Sequence, residues 1–542
     1  MSSRRDILQA FLGAPLALAA CTRGTKTPRP VAGELLDSLE ARGHRLRDDV
    51  PVPLGEVPAD IHDVIVIGGG IAGLAARARL TSAGLRVVLV EADQVLGGTA
   101  KRGENQGGLH PWGAHYVTAP LPEATPMVRL LEELGVITGR TPSGDVALAE
   151  EAIARAPEER LFHLGHWEEG LYPRAGANRA DLAEWERFRV HVQTLASRRD
   201  GRGRRAFIAP LGLASDDADV LELDRITMAA WLDREGYRSP RLRWLIDYAC
   251  RDDFGLRVDH ASAWAALFYF AARTGPDGEA RAVIPWPEGN GRLAAHLARK
   301  GSGDVLLGTF ARRVAVRDEG AETLVVVEDA QGDRRTLRAR RVVVAVPSFI
   351  GTRIVDGLSA AQAAAPPSSY GSWVVANVVL SPDFLERDAP LAWDNVIHAS
   401  PSLGYVSARH QLDARSAHVP ITHYYALCDE DPKRVREKLL AVDHANWCDV
   451  VLSDLAAPHP RIRDHVERID VLRWGHAMVR PVPGVRTAAA RGDQQKPFRT
   501  VHFAHTEQSA VALFEEAYWH GTRAAEEIIA ALGRPLVSEL GR

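Results

Sequence analysis

Residues 63–73, Asp-Val-Ile-Val-Ile-Gly-Gly-Gly-Ile-Ala-Gly, constrain the fold of this chain most tightly. The apolar run at 64–67 reads as a strand buried on both faces of a parallel sheet. It runs into Gly68, Gly70 and Gly73, spaced as G-x-G-x-x-G, and then into a helical pattern that ends at Gly84. A second apolar run, 87–90, ends at Glu91. Strand, glycine turn, helix and strand, closed by an acid, make a dinucleotide-binding unit. Gly68 makes the tight turn, Gly70 admits a pyrophosphate against the backbone, and Gly73 lets the helix pack on the strand. Ile71 and Ala72 open that helix, whose free N–H groups and dipole favour phosphate. Glu91, followed by Ala92, is placed to accept hydrogen bonds from ribose hydroxyls, which favours an unphosphorylated adenosine.

Leu96-Gly97-Gly98-Thr99 forms a second glycine turn that brings the chain past the same ligand again. At the far end, residues 501–507 read as an apolar strand with a polar end at Glu507, and 514–529 as an amphipathic helix. Together these segments resemble the flavin amine oxidase superfamily. Gly289-Asn-Gly291-Arg-Leu is similar to that family's Gly-Gly-x-x-x-Leu helix start. The resemblance implies an α/β fold: a Rossmann-like FAD-binding domain with an inserted α+β substrate domain of mixed sheet and helices. It implies FAD as cofactor, with Gly97, Gly98 and Thr99 beside it and Glu507 near its ribityl–pyrophosphate part. A backbone group near Ala311 is then expected at the adenine, and the helix starting near Leu513 points at the flavin ring. His505 departs from the pattern, standing where the family usually has glycine.

On this reading FAD-binding parts occupy 62–120, 281–350 and 486–535. Strands at 305–309, 314–317, 323–327 and 341–347 belong to the second of them. Substrate-domain parts occupy 121–280, a helical insertion, and 351–485, a sheet. Helices are expected at 181–197, 227–236, 240–250 and 262–273, and strands at 372–380, 403–407, 420–427 and 469–474. The substrate cavity then lies between that sheet and the insertion, at a domain interface.

Many members of the superfamily carry a lysine on a substrate-domain strand near the flavin. The corresponding strand here, 373–380, has none, and neither has anything between Lys300 and Lys433; Asn377 or a neighbour takes its place. His115 is a candidate to face the flavin, or else a packed histidine. Tyr405, His410 and His476 are candidates for substrate contact. Tyr248-Ala-Cys-Arg-Asp252-Asp253 reads as a helix cap or as cavity lining. Leu513 stands where amine oxidases have an aromatic residue. The leading expectation is an FAD-dependent oxidoreductase that removes hydride from an amine C–N bond. Two alternatives stay open: a desaturase of C–C bonds in a lipophilic substrate, and a membrane-anchored flavoprotein subunit serving a protein partner.

Arg4-Arg5, an apolar stretch over 10–20 and Leu18-Ala-Ala-Cys21 have the order of an export signal. The apolar run is shorter than the ~20 residues of a membrane span. It resembles a twin-arginine signal ending in a bacterial lipobox, with Cys21 as the lipidated residue. The expectation is export of a folded protein, anchored by lipid at the extracytoplasmic membrane face. Thr22, where an Asp would signal inner-membrane retention, favours the outer membrane. Residues 22–60, with Pro28, Pro30, Pro51, Pro53 and Pro58, read as a tether. A net charge of −4 gives no reason to expect nucleic acid. Cys250, Cys428 and Cys448 match neither zinc nor redox spacing, so no metal site is expected and free buried thiols are.

Overall fold

The computed structural model describes residues 31–541 except 38–39, 49–51, 155–156, 276, 318–321, 359–368, 385–391, 412–417, 429–430 and 489. The export-signal residues Arg4, Arg5 and Cys21 lie outside the described residues.

The fold is α/β and holds two main sheets. The first is seven-stranded and centres on His62–Ile67, which pairs in parallel with Val87–Val90 on one side and Arg334–Val344 on the other. Strand alternation divides its apolar residues between two cores. Val64, Val66, Val87 and Leu89 face the helices Ile71–Ser82 and Phe514–Ala531. Ile65, Ile67, Val88 and Val90 join Val314, Val325 and Val342 on the other side. Arg334–Val344 pairs in two ways along its length within this one sheet. Its first half pairs antiparallel with Glu322–Glu328, and its second half pairs parallel with His62–Ile67 and Val501–Phe503.

The second sheet has eight strands. Tyr370–Leu380, buried along its whole length, lies between Val466–Val479 and Val419–Leu427. Val374, Ala376 and Val378 pack towards the helices Pro432–Ala441 and His444–Leu455. Trp373 and Val375 point the opposite way, into the molecule. Helices Arg179–Ser197, Met228–Arg234, Pro240–Phe254 and Ala263–Ala271 cover that side. Asn178 and Asp181 form a reciprocal cap on the first of them, and the Thr227 hydroxyl caps the second.

Two parts of the chain differ from the sequence expectation. Residues 121–280 are not only helical: Glu159–His163 and His166–Glu169 extend the second sheet, through a parallel pairing of Glu159–His163 with Asp394–Ile397. These strands are too short for their alternation to stand out in sequence. The stretch expected to be a tether is docked from residue 31 onward. Leu35–Asp37 adds a parallel edge strand to Val466–Val479, and Asp37 takes two hydrogen bonds from the buried Arg473 guanidinium at 2.7 and 2.8 Å. Val52 is buried, and its carbonyl accepts from Arg313. Proline content marked this stretch as irregular, but backbone pairing and charge hold it. Among the described residues no helix is long and apolar enough to cross a membrane.

Candidate active site

The two glycine turns face each other at the head of the first sheet. Gly70 and Gly97 form an isolated parallel bridge, and the Gly97 N–H donates to the Gly69 carbonyl at 2.8 Å. Gly68 (φ +103°) runs so close to Ala345 that a Cβ would lie 2.5 Å from its carbonyl oxygen. Gly70 differs: a Cβ there meets nothing nearer than Gly98 Cα at 3.9 Å, and at Gly98 (φ +59°) one would sit 3.2 Å from Gly70 Cα. Two glycines flank space that protein does not fill, at the start of a helix whose N-cap offers no side-chain bond. That is the cradle a pyrophosphate needs.

Glu91 accepts from the Gly69 and Asp93 N–H groups, both at 2.6 Å. Burial nevertheless raises its pKa, these two bonds working against it. The carboxylate pins the glycine turn from beneath, a role the sequence did not reveal. Thr99 leads into the next cavity along. The strand Phe310–Arg317 carries Ala311 and breaks register between Ala311 and Arg313. Glu507 is buried and accepts from the Ser348 N–H at 3.2 Å, while His505 accepts from the Glu507 N–H. His505 is therefore accommodated as the cap of a short 3-10 turn. Leu513 is the N-cap of Phe514–Ala531.

Beyond Thr99 lie two adjoining cavities. The first, about 150 Å³, is lined by Thr99, Ala114, Trp373, Val375, Trp474 and Leu513, among others. The second, about 360 Å³, extends between the second sheet and the covering helices. His115, Tyr116, Thr118, Asp252, Arg273 and Tyr424 belong to the walls of both. His115 stacks on Tyr424 at 4.3 Å, and the Tyr424 hydroxyl donates to the Gly113 carbonyl at 3.0 Å. Burial pushes the His115 pKa down to about 4, so the imidazole is neutral at physiological pH.

The second cavity is aromatic and acidic. Tyr248, Tyr269, Trp393 and Tyr405 supply rings, and Glu158, Glu159, Asp252 and Asp394 supply carboxyls. Asp394 and Glu159 are register partners on neighbouring parallel strands, so two like charges stand side by side. Burial, reinforced by Glu158, pushes the Glu159 pKa up to about 8. Burial, reinforced by Glu159, also raises Asp394 well above the usual carboxylate range.

Several sequence candidates fall elsewhere. Asn377 is buried away from both cavities: its amide donates to the Pro111 carbonyl and accepts from the Thr422 hydroxyl. It shares the inner strand face with Trp373 and Val375, but the 110–112 segment covers it, so those two residues take the place facing the cavity. His410 and His476 line neither cavity. His476 is exposed and packs on Phe349 and Tyr370. Tyr405 does line the second cavity, with its hydroxyl held by His459 and Arg160. The 248–253 segment lines the cavities, and Gly255 in the left-handed conformation ends its helix instead. Tyr424, Trp393, Glu159 and Asp394 carry no local motif; only strand pairing brings them together. Cys250, Cys428 and Cys448 are buried and form no disulfide among the described residues.

Glycine cradle, buried parallel sheet and a cavity running under a second sheet define a dinucleotide-dependent oxidoreductase of the flavoenzyme type. The family described as flavin containing amine oxidoreductase matches residues 71–529, and the chain belongs to it. It is accordingly an FAD-dependent oxidoreductase. The fold is similar to that of a putrescine oxidase solved with putrescine bound, at 19% identity and a TM-score of 0.62, covering 87% of this chain and 100% of that one. It is also similar to cyclohexylamine oxidase from Brevibacterium oxydans IH-35A, at 19% identity and 0.63, covering 88% and 100%. Over 79 residues the chain is 42% identical to amine oxidase [flavin-containing] B of Cavia porcellus, 14% of this chain and 15% of that protein. Over 74 residues it is 43% identical to thiamine thiazole synthase of Aeropyrum pernix, 14% of this chain and 23% of that protein. The chain thus matches only a small part of these two curated relatives.

Proposed function

We propose that this protein oxidises the C–N bond of a small amine. One observation carries the reading: the cavity that adjoins the flavin-side space is walled by aromatic rings and by carboxyls in excess of cations. FAD, held by the glycine turns, Glu507 and the helix start at Leu513, supplies the hydride acceptor when bound. The chain's residues do the rest. The carboxyls offer oxygen acceptors to the N–H groups of an amine, and the rings offer their faces to its cationic form. Tyr424, locked to Gly113, and His115 narrow the passage between the cavities and exclude solvent from the reacting carbon. Their neutral rings accommodate an uncharged amine, the form that releases hydride. The putrescine and cyclohexylamine oxidases that share the fold support an amine substrate.

A desaturase of lipophilic compounds fits less well, because apolar substrate would bury these carboxyls without compensation. The discriminating experiment mixes the FAD-loaded protein anaerobically with monoamines, diamines and polyenes. Loss of the oxidised-flavin absorbance with amines alone supports the proposal. Loss with polyenes alone refutes it, and loss with neither, together with a co-purifying protein, favours the electron-transfer subunit.

For location, the Arg4-Arg5 pair and Leu18-Ala-Ala-Cys21 support export by a twin-arginine route and anchoring through lipid on Cys21, at the outer membrane where the cell has one. Radioactive palmitate should label the wild type and not Cys21→Ser. Equal labelling of both would refute the anchor.

A further inference from the structure

We infer that Asp252 is the base that takes a proton from the bound ammonium, leaving the amine nitrogen neutral when hydride departs from its neighbouring carbon. This inference rests on the amine reading above. It begins from position. Among the described lining residues, Asp252 is the one carboxyl common to the walls of both cavities, at the passage formed by His115 and Tyr424. A substrate whose carbon lies in the flavin-side cavity must bring its nitrogen past this residue.

The Asp252 carboxyl also has capacity to spare. It receives no hydrogen bond among the described residues, although its neighbours are engaged. Arg273 donates to Asp253 at 2.8 Å, and Arg251 donates to the Pro401 and Ser402 carbonyls. Asp253, only 6% exposed, leaves its Oδ2 without a donor among the described residues, also in the wall of the first cavity. Asp252 and the Asp253 Oδ2 thus offer open acceptor positions to an ammonium group, beside an Arg273 Nη1 that is itself buried without an acceptor among the described residues.

The charged surroundings keep the carboxylate basic. On its own helix Asp252 has Arg251 and Asp253 as neighbours, and across from it stands Arg273. Glu159 and Asp394, whose own pKa values burial raises, stand on the sheet side, and the neutral phenols of Tyr116, Tyr248, Tyr269 and Tyr424 complete the enclosure. Burial and then Asp253 push the Asp252 pKa up to about 7, with Arg273 opposing. A base of that strength suits proton transfer near neutral pH. In a poorly solvated passage already crowded with acids, a neutral amine beside a carboxylic acid is favoured over one more ion pair.

The step balances. One N–H bond of the ammonium breaks, its electron pair stays on nitrogen, and the proton bonds to an Asp252 oxygen. With FAD bound as hydride acceptor, the freed nitrogen lone pair would be available to form the C=N bond as hydride leaves the neighbouring carbon. Asp252 returns its proton to solvent when product leaves.

The test is the pH dependence of flavin reduction by benzylamine and by 1,4-diaminobutane, measured by anaerobic stopped flow on FAD-loaded enzyme from about pH 6 to about pH 10. In the wild type the rate should fall on the acid side with an ionisation near 7. Asp252→Asn should lose that ionisation and slow reduction about a hundredfold, with FAD content intact. Asp252→Glu should restore much of the rate. Asp253→Asn removes the like charge that holds the Asp252 ionisation up and should move it to lower pH, a readout independent of whether Asp252→Asn folds. Asp252→Asn with the wild-type rate and profile, or Asp253→Asn with an unmoved ionisation, would overturn the assignment while leaving the amine reading intact. Failure of both amines to reduce the wild-type flavin would overturn the amine reading itself.

Discussion

Replacing Gly521 with alanine tests how the cofactor end of the molecule is held together. Gly521 lies in Phe514–Ala531, where that helix crosses Ile71–Ser82, the helix that begins at the glycine cradle. A Cβ at 521 would overlap the Ala72 carbonyl oxygen and come within 2.9 Å of both its carbon and the Ala75 Cβ. Ordinary carbon contacts are about 3.5–4.0 Å, so the helices must part by about 1 Å. Helix propensity alone would make alanine better by about 1 kcal/mol. Overpacking costs about 1–3 kcal/mol, and the upper end applies because a backbone carbonyl cannot rotate aside. The net expectation is a loss of about 1–2 kcal/mol. The displaced helix also carries the N–H groups proposed to meet the phosphates, so FAD affinity should fall about tenfold, the equivalent of one weakened charged hydrogen bond. The assay pairs a thermal melt with the flavin-to-protein absorbance ratio after dialysis. Gly139→Ala is the control, since nothing lies within 4 Å of a Cβ there. A Gly521→Ala protein that melts no lower than wild type and retains its flavin equally would refute the argument.

Gly70→Val should give colourless protein, because its side chain would occupy the space between the glycine turns; flavin absorbance after reconstitution reads this directly. Asp37→Ala should cost about 1 kcal/mol, the worth of a partly exposed charged hydrogen-bond pair, and open the 31–60 segment to limited proteolysis; unchanged cleavage would contradict the docking described here. His110 is buried, and burial pushes its pKa down to about 4 from 6.5, so the folded state binds its proton less readily than the unfolded state. Its contribution is fully present above about pH 6.5 and lost as pH falls from there towards 4. His110→Asn should therefore flatten denaturant midpoints across that window; an identical slope in wild type and variant would remove His110 as a cause.

The sequence by itself determined the cofactor end. The glycines at 68, 70, 73, 97 and 98 and the acid at 91 act through backbone geometry and one buried carboxylate, which depend on residues close in sequence. The long helices were legible for the same reason, through local periodicity. Tertiary structure alone decided the substrate side. Whether an inward strand residue sees a cavity depends on what lies over it: Trp373 and Val375 face open space, while Asn377, two residues on, is covered by Pro111. Glu159 and Asp394 became neighbours through a parallel strand pairing that no local pattern announces, and the Pro240–Phe254 helix brought Asp252 to them from a third part of the chain. Burial and mutual repulsion give such acids their chemistry, and both arise only when distant segments pack together.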